Sequence, residues 1–124
     1  MNPKQLINQR ATWYKSLNPI YCPAVKSTVV FNAKGFYHLK YNGLGHKRLQ
    51  KEYIHRLYLL PWATSIITNA TKIDKTRTRY EKSLGKIVAY WSLREFVGKN
   101  KIPVTIVLRK IGDVQITFYS IINK

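Results

Sequence analysis

The chain has 124 residues, and 22 Lys plus Arg against 5 Asp plus Glu give it a formal net charge of +17. A charge so far from zero costs stability through self-repulsion and suits a polyanionic partner, either nucleic acid or an acidic protein. With 45% hydrophobic and 13% aromatic residues the chain can build one packed core, which excludes the disordered class, and no stretch approaches the roughly 18 continuous apolar residues of a membrane span.

Asn2-Pro3 predicts a helix start over residues 3 to 17, since the side chain can cap free amides and the ring suits the first turn. Lys4, Gln5, Asn8, Gln9 and Arg10 interrupt any apolar block of a signal peptide, so a cytoplasmic protein is expected. Asn18-Pro19 ends this helix, and an irregular stretch follows through Cys22-Pro23. The lone Cys22 excludes an internal disulfide and a Cys-based zinc site. A short β-rich run, 28 to 31, comes next.

Asn32 is placed to cap a helix over 33 to 41, which carries Phe36, His38 and Leu39. After the turn Asn42-Gly43-Leu44-Gly45, a second helix is predicted from His46 to Leu60. Leu49, Tyr53, Leu57 and Leu60 form its buried stripe, and Lys47, Arg48, Lys51, His55 and Arg56 its basic face. Residues 62 to 67 continue as a short helical or turn segment. The run Lys72 to Lys82, with Arg77 and Arg79, reads as a basic segment that steers a polyanion.

Beyond this point the period changes to two. Residues 86 to 96 predict a long strand with Ile87, Ala89, Trp91 and Leu93 on one face and Tyr90, Ser92 and Arg94 on the other. Residues 103 to 110 and 114 to 122 form a hairpin around Ile111-Gly112-Asp113. A three-residue loop pairs Arg109 with Gln115, Val107 with Thr117 and Thr105 with Tyr119. That register collects Val104, Ile106, Leu108, Val114, Ile116 and Phe118 on the core face and Thr105, Arg109, Gln115, Thr117 and Tyr119 on the other. Ser120 has the opposite parity and reaches the polar face only through a bulge or the strand end. The layout is α+β: N-terminal helices packed on a C-terminal antiparallel sheet of about four strands.

RNA can be cut without a metal when a base deprotonates the ribose 2′-hydroxyl, a cation steadies the phosphate and an acid protonates the leaving oxygen. His38 is the sharpest candidate for the proton transfer, because its ordinary pKa of about 6.5 suits neutrality; the bland alternative is a histidine filling a helix-sheet boundary. Arg109, Thr117 and Tyr119 are expected beside it, Arg to clamp phosphate, Thr to donate a hydrogen bond and Tyr to stack on a base. His46, Lys47 and Arg48 open a helix after a glycine turn, where amides and cations can meet phosphate. With Lys51, His55, Arg56, Arg77, Arg79, Arg94 and Ser120 they make up the RNA-binding set. Glu52, Asp74, Glu81, Glu95 and Asp113 are scattered over different segments, so neither a metal site nor a cofactor is expected.

The Gly-Phe-Tyr-His-Leu helix, a basic helix ending in Leu-Leu-Pro, and strands closing with Val-Leu-Arg-Lys and Ile-Thr-Phe-Tyr-Ser resemble the phage-type barnase, EndoU, colicin and RelE-like (BECR) nucleases. The resemblance spans about residues 25 to 122 of a single domain, 1–124, and leaves residues 1–24 as an N-terminal helical extension without a family role. It implies a metal-independent ribonuclease toxin that cleaves tRNA or mRNA and is neutralised by an antitoxin; the expected partners are RNA, whether tRNA, mRNA or rRNA, and an acidic antitoxin or immunity protein. It also implies that His38, Arg109, Thr117 and Tyr119, and Ser120 if redirected, carry the site. A non-catalytic RNA-binding or ribosome-associated protein shares the charge and the aromatic residues. A DNA-binding regulator fits less well, because the second helix lacks a helix-turn-helix partner.

Overall fold

Two asparagine side chains start the first two helices, as the sequence predicts. In the computed structural model, which describes all 124 residues, α1 (Pro3–Lys15) begins where Asn2 accepts from the Gln5 amide and the Gln5 side chain accepts from Asn2 N–H. The next helix, α2 (Ala33–Lys40), begins where Asn32 accepts from the Gly35 amide. Each bond satisfies a donor that a first helical turn leaves free. Between them β1 (Ile20–Cys22) and β2 (Ser27–Val29) form a small antiparallel hairpin. The run expected over 28 to 31 therefore belongs to this hairpin and meets the main sheet only through a parallel bridge from Val30 to Thr117.

The second long helix starts later than expected, as α3 (Gln50–Leu59), followed by α4 (Trp62–Asn69). The Asn42 side chain accepts from the Leu44 and His46 amides, and the Arg48 amide donates to the Lys40 carbonyl. These bonds fold residues 42 to 48 back on α2, so His46, Lys47 and Arg48 do not open a helix. Leu49, expected on the buried stripe, is 78% exposed, whereas Tyr53, Leu57 and Leu60 are buried. Arg56, expected on the exposed face, is 4% exposed.

The main sheet holds β3 (Lys75–Glu81), β4 (Lys86–Val97), β5 (Ile102–Ile111) and β6 (Thr117–Ile122), antiparallel and ordered β3-β4-β5-β6. The protein is α+β, with its helices in the N-terminal part and this sheet in the C-terminal part. The basic run around Arg77 is itself an edge strand. The hairpin after β5 is longer than three residues. Gly112 N–H donates to the Ile87 carbonyl and the Ile116 carbonyl accepts from Val30 N–H, so both are drawn out of the β5–β6 ladder. Arg109 consequently pairs with Thr117 and Leu108 with Phe118, after which a bulge shifts the register so that Val107 meets Ser120 and Ile106 meets Ile121. Val114, expected in the core, is exposed.

One face of the sheet carries Leu93, Val97, Val104, Ile106, Leu108, Phe118 and Ile121 into the core. Tyr53, Leu57 and Leu60 of α3 and Ala63, Ile66 and Ile67 of α4 belong to the same cluster. The start of β4 departs from simple alternation: Val88 and Tyr90 are buried on the opposite face, and Ile87 is exposed. Within residues 1–24, Leu6, Tyr14 and Cys22 are buried in the cluster. Arg10 Nε donates to the Leu57 carbonyl and the Tyr14 hydroxyl to the Asn32 carbonyl. No helix is long and apolar enough to cross a membrane.

Gly35 sets how closely α2 approaches β6. A Cβ there would lie 2.5 Å from the Phe118 carbonyl oxygen and 2.6 Å from the Tyr14 hydroxyl. The carbonyl is backbone and cannot yield, so Gly35→Ala is expected to cost about 3 kcal/mol of unfolding free energy, measurable by denaturant titration.

Candidate active site

Directly opposed residues of an antiparallel sheet share a face. Lys75, Arg77, Arg79 and Glu81 of β3 therefore stand with Ser92, Tyr90 and Val88 of β4 and with Val107, Arg109 and Ile111 of β5. The bulge in β6 brings Ser120 to the same face, opposite Val107. Tyr119, the residue the bulge leaves unpaired, is the hub. The His38 ring lies 4.2 Å from it, the Tyr90 ring 5.5 Å, and the Arg109 guanidinium 4.5 Å, all to the ring centroid.

Two adjoining cavities of about 460 and 250 Å³ share His38, Gly43, Arg79, Tyr90 and Tyr119 in their walls. Arg48, Arg77 and Ser120 extend the larger one, and Lys34, Glu81 and Arg109 the smaller. The resulting cleft gathers five cationic side chains and one carboxylate, a donor set suited to an anion rather than to a metal cation.

His38 is 5% exposed and its Nε2 is buried without a hydrogen-bond partner. Burial pushes its pKa down to about 4, helped by the positive charges of Lys34, Arg109 and Arg48 and opposed by a backbone hydrogen bond at Tyr41. The ring is neutral at pH 7, and its Nε2 is left without a partner inside the wall of the cleft. Arg109 Nε is likewise buried and unpartnered. A buried guanidinium donor without an acceptor is costly, and a phosphate oxygen would satisfy it.

Across the cleft, Arg79 Nε donates to Glu81 at 2.6 Å and the Tyr90 hydroxyl donates to the same oxygen at 3.2 Å. The bond from Arg79 holds the Glu81 carboxyl below the usual carboxylate range, so it is ionised at neutrality. Burial raises the Tyr119 phenol, which keeps its hydroxyl protonated and a donor.

A chain of charged bonds fixes these groups from behind. Arg48 Nε donates to the His38 carbonyl at 3.1 Å, and Arg48 and Arg56 both donate to Glu52 at 3.1 and 3.0 Å. Arg56 also donates to Ser120 Oγ and to the Ile121 carbonyl. Through Glu52 and Arg48, Arg56 is thus connected from α3 to the helix bearing His38 as well as to the bulged strand, and it is buried rather than on the exposed basic face expected from the sequence.

Of the residues expected from sequence, His38, Arg109, Tyr119, Ser120, Arg48, Arg77 and Arg79 converge on the cleft. Thr117 does not; it lines neither cavity, and its hydroxyl donates to the Arg109 carbonyl at 3.4 Å. His46, Lys47, Lys51 and His55 are exposed outside both cavities. Arg94 lies toward the other end of β4, where its Nε donates to the Lys124 carbonyl. Sequence reasoning missed Lys34, Glu81 and Tyr90. The signal for Glu81 was the alternation Lys75-Arg77-Arg79-Glu81, which puts an acid in phase with three cations. Comparison with protein families, curated proteins and solved structures found no match for this chain.

Proposed function

We propose that the chain is a metal-independent endoribonuclease, of the kind that the resemblance to the BECR nucleases implies. The observation that carries this reading is the pairing, around one tyrosine ring, of a buried neutral histidine with a free Nε2 and a buried arginine with an unpartnered Nε. One can accept a proton and the other can hold a phosphate oxygen. In the proposed reaction the ribose 2′-oxygen bonds to phosphorus as its proton passes to His38 Nε2. Arg109 stabilises the charge that builds on the phosphoryl oxygens. The bond from phosphorus to the 5′-oxygen breaks, and that oxygen takes a proton from solvent, to which His38 returns its own. The products are a 2′,3′-cyclic phosphate end and a 5′-hydroxyl end. Tyr119 and Ser120 orient the substrate.

The high positive charge supports two further parts of the proposal: the substrate is a cellular RNA, and the cell that makes this chain also makes an acidic antitoxin or immunity protein to block the cleft. The test is incubation of the purified protein with total RNA in EDTA. Cleavage with cyclic phosphate ends supports the nuclease, and binding without cleavage favours a non-catalytic RNA-binding protein. RNA affinity is expected to drop about 10³-fold between 50 and 200 mM salt if six or more phosphates are contacted, as read by fluorescence anisotropy. A flat response would remove the polyanion argument.

A further inference from the structure

We infer that Lys75, Arg77 and Arg79 form a rail for successive phosphates of a single RNA strand, delivering that strand to the cleft. The identity of the polyanion rests on the ribonuclease reading; the rail itself rests on the geometry of β3. Every residue from Lys75 to Tyr80 is exposed, and charge on an exposed edge strand often serves only to prevent edge-to-edge pairing. That purpose needs no sorting between faces. Here the three cations share the cleft face, while Thr76, Thr78 and Tyr80 take the other.

The cleft also continues along this rail. A third cavity of about 200 Å³ is lined by Lys75, Arg77, Tyr90 and Ser92 and shares Arg77 and Tyr90 with the larger cleft cavity. Bordering cavities that share wall residues thus line the groove side from Lys75 to His38 and Arg109. Neither Lys75 nor Arg77 is in an ion pair, and the Arg77 guanidinium lies 5.0 Å over the Tyr90 ring. Alternate residues of a strand stand about 6.7 Å apart, commensurate with the phosphate repeat of an extended single strand. A duplex does not fit the groove's destination. Its phosphates ride on a rigid double helix, whereas the His38 ring is nearly enclosed; a single strand can bend its backbone into the cleft.

The test measures binding of a 2′-O-methyl RNA 12-mer, which lacks the attacking hydroxyl, so affinity is read whether or not the chain cleaves RNA. Lys75→Ser with Arg77→Ser is compared with Lys4→Ser with Lys99→Ser, which removes the same charge elsewhere on the exposed surface. Loss of two phosphate contacts on a single strand should lower the slope of log K against log salt by about 1.4. The expected result is that drop for the rail pair, a nearly unchanged slope for the control pair, and weaker binding of the matching duplex to the unaltered protein. Equal slopes for the two pairs, or a duplex bound as tightly as the single strand, would overturn the rail. Rail-dependent binding without cleavage of ordinary RNA would instead leave the rail standing and remove the nuclease.

Discussion

His38→Ala is expected to slow RNA cleavage by about 10² to 10⁴-fold, the usual loss on removing a general base, while leaving the fold and most RNA affinity in place. The pH dependence separates this role from a structural one. With its pKa held near 4 in the free protein, His38 is in its basic form above that value, so kcat/KM should fall only as pH drops through about 4. A bound phosphate adds negative charge beside the ring and opposes the three cations, which raises the pKa, so the acid limb of kcat should lie at higher pH than that of kcat/KM. His38→Ala should abolish both limbs.

Stability has a sign of its own. The folded pKa lies below the ordinary value of 6.5, so the neutral ring's contribution is fully present above about pH 6.5 and is lost as pH falls towards 4. The loss is on the order of 3 kcal/mol. Urea denaturation of His38→Ala should show a flatter stability profile over that window. If His38→Ala fails to fold at pH 7, the histidine is a core residue and the assignment is wrong.

Arg109→Ala is expected to cost about 10² to 10³-fold in kcat, because in the proposed reaction the guanidinium faces the additional charge that builds on the phosphoryl oxygens in the transition state. Arg109→Lys should recover little of this. A lysine restores the charge but loses the planar fork that can offer two parallel donors to a phosphate. A second readout does not depend on cleavage. Arg109 is one of the charges holding the His38 pKa down, so its removal should raise that pKa, visible as a shift in the imidazole NMR titration midpoint. An unchanged midpoint would mean that the two side chains do not sense each other, and a normal rate would place the reaction elsewhere.

Much of the scaffold was legible because it obeys local rules. Asn2 and Asn32 cap as their side chains allow, and β5 alternates because one of its faces is packed and the other is wet. The failures have equally local causes. Having no face against the core, β3 gave no hydrophobic alternation to read. The start of α3 was hidden by Asn42, whose side chain takes amides that would otherwise begin a helix. Gly112 and Ile116 bond to β4 and to the segment after β2, which lengthens the β5–β6 turn and defeats any register counted from a short loop.

The candidate site was half visible for a related reason. Strand parity correctly associates Arg109 with Tyr119. It cannot reveal that Glu81, lying 28 residues earlier in the chain, shares their cleft, because that depends on an edge strand invisible to periodicity. Arg56 was misplaced because its charge argued for solvent. Its two Nη groups are instead bonded to Glu52, Ser120 and the Ile121 carbonyl, while its Nε is buried without a partner, and a guanidinium paired in this way can be buried.

The bulge in β6 divides that strand's labour. Were Tyr119 skipped, Phe118 and Ile121 would still face inward and Ser120 outward, and Leu108, Val107 and Ile106 would keep the partners they have now. The sheet therefore closes without Tyr119, and the position is free of the alternation that every other residue in the ladder must respect. The side chain around which His38, Tyr90 and Arg109 assemble is supernumerary to the architecture. Its chemistry can vary without disturbing the ladder, so the scaffold can exchange the centre of its cleft while keeping its core.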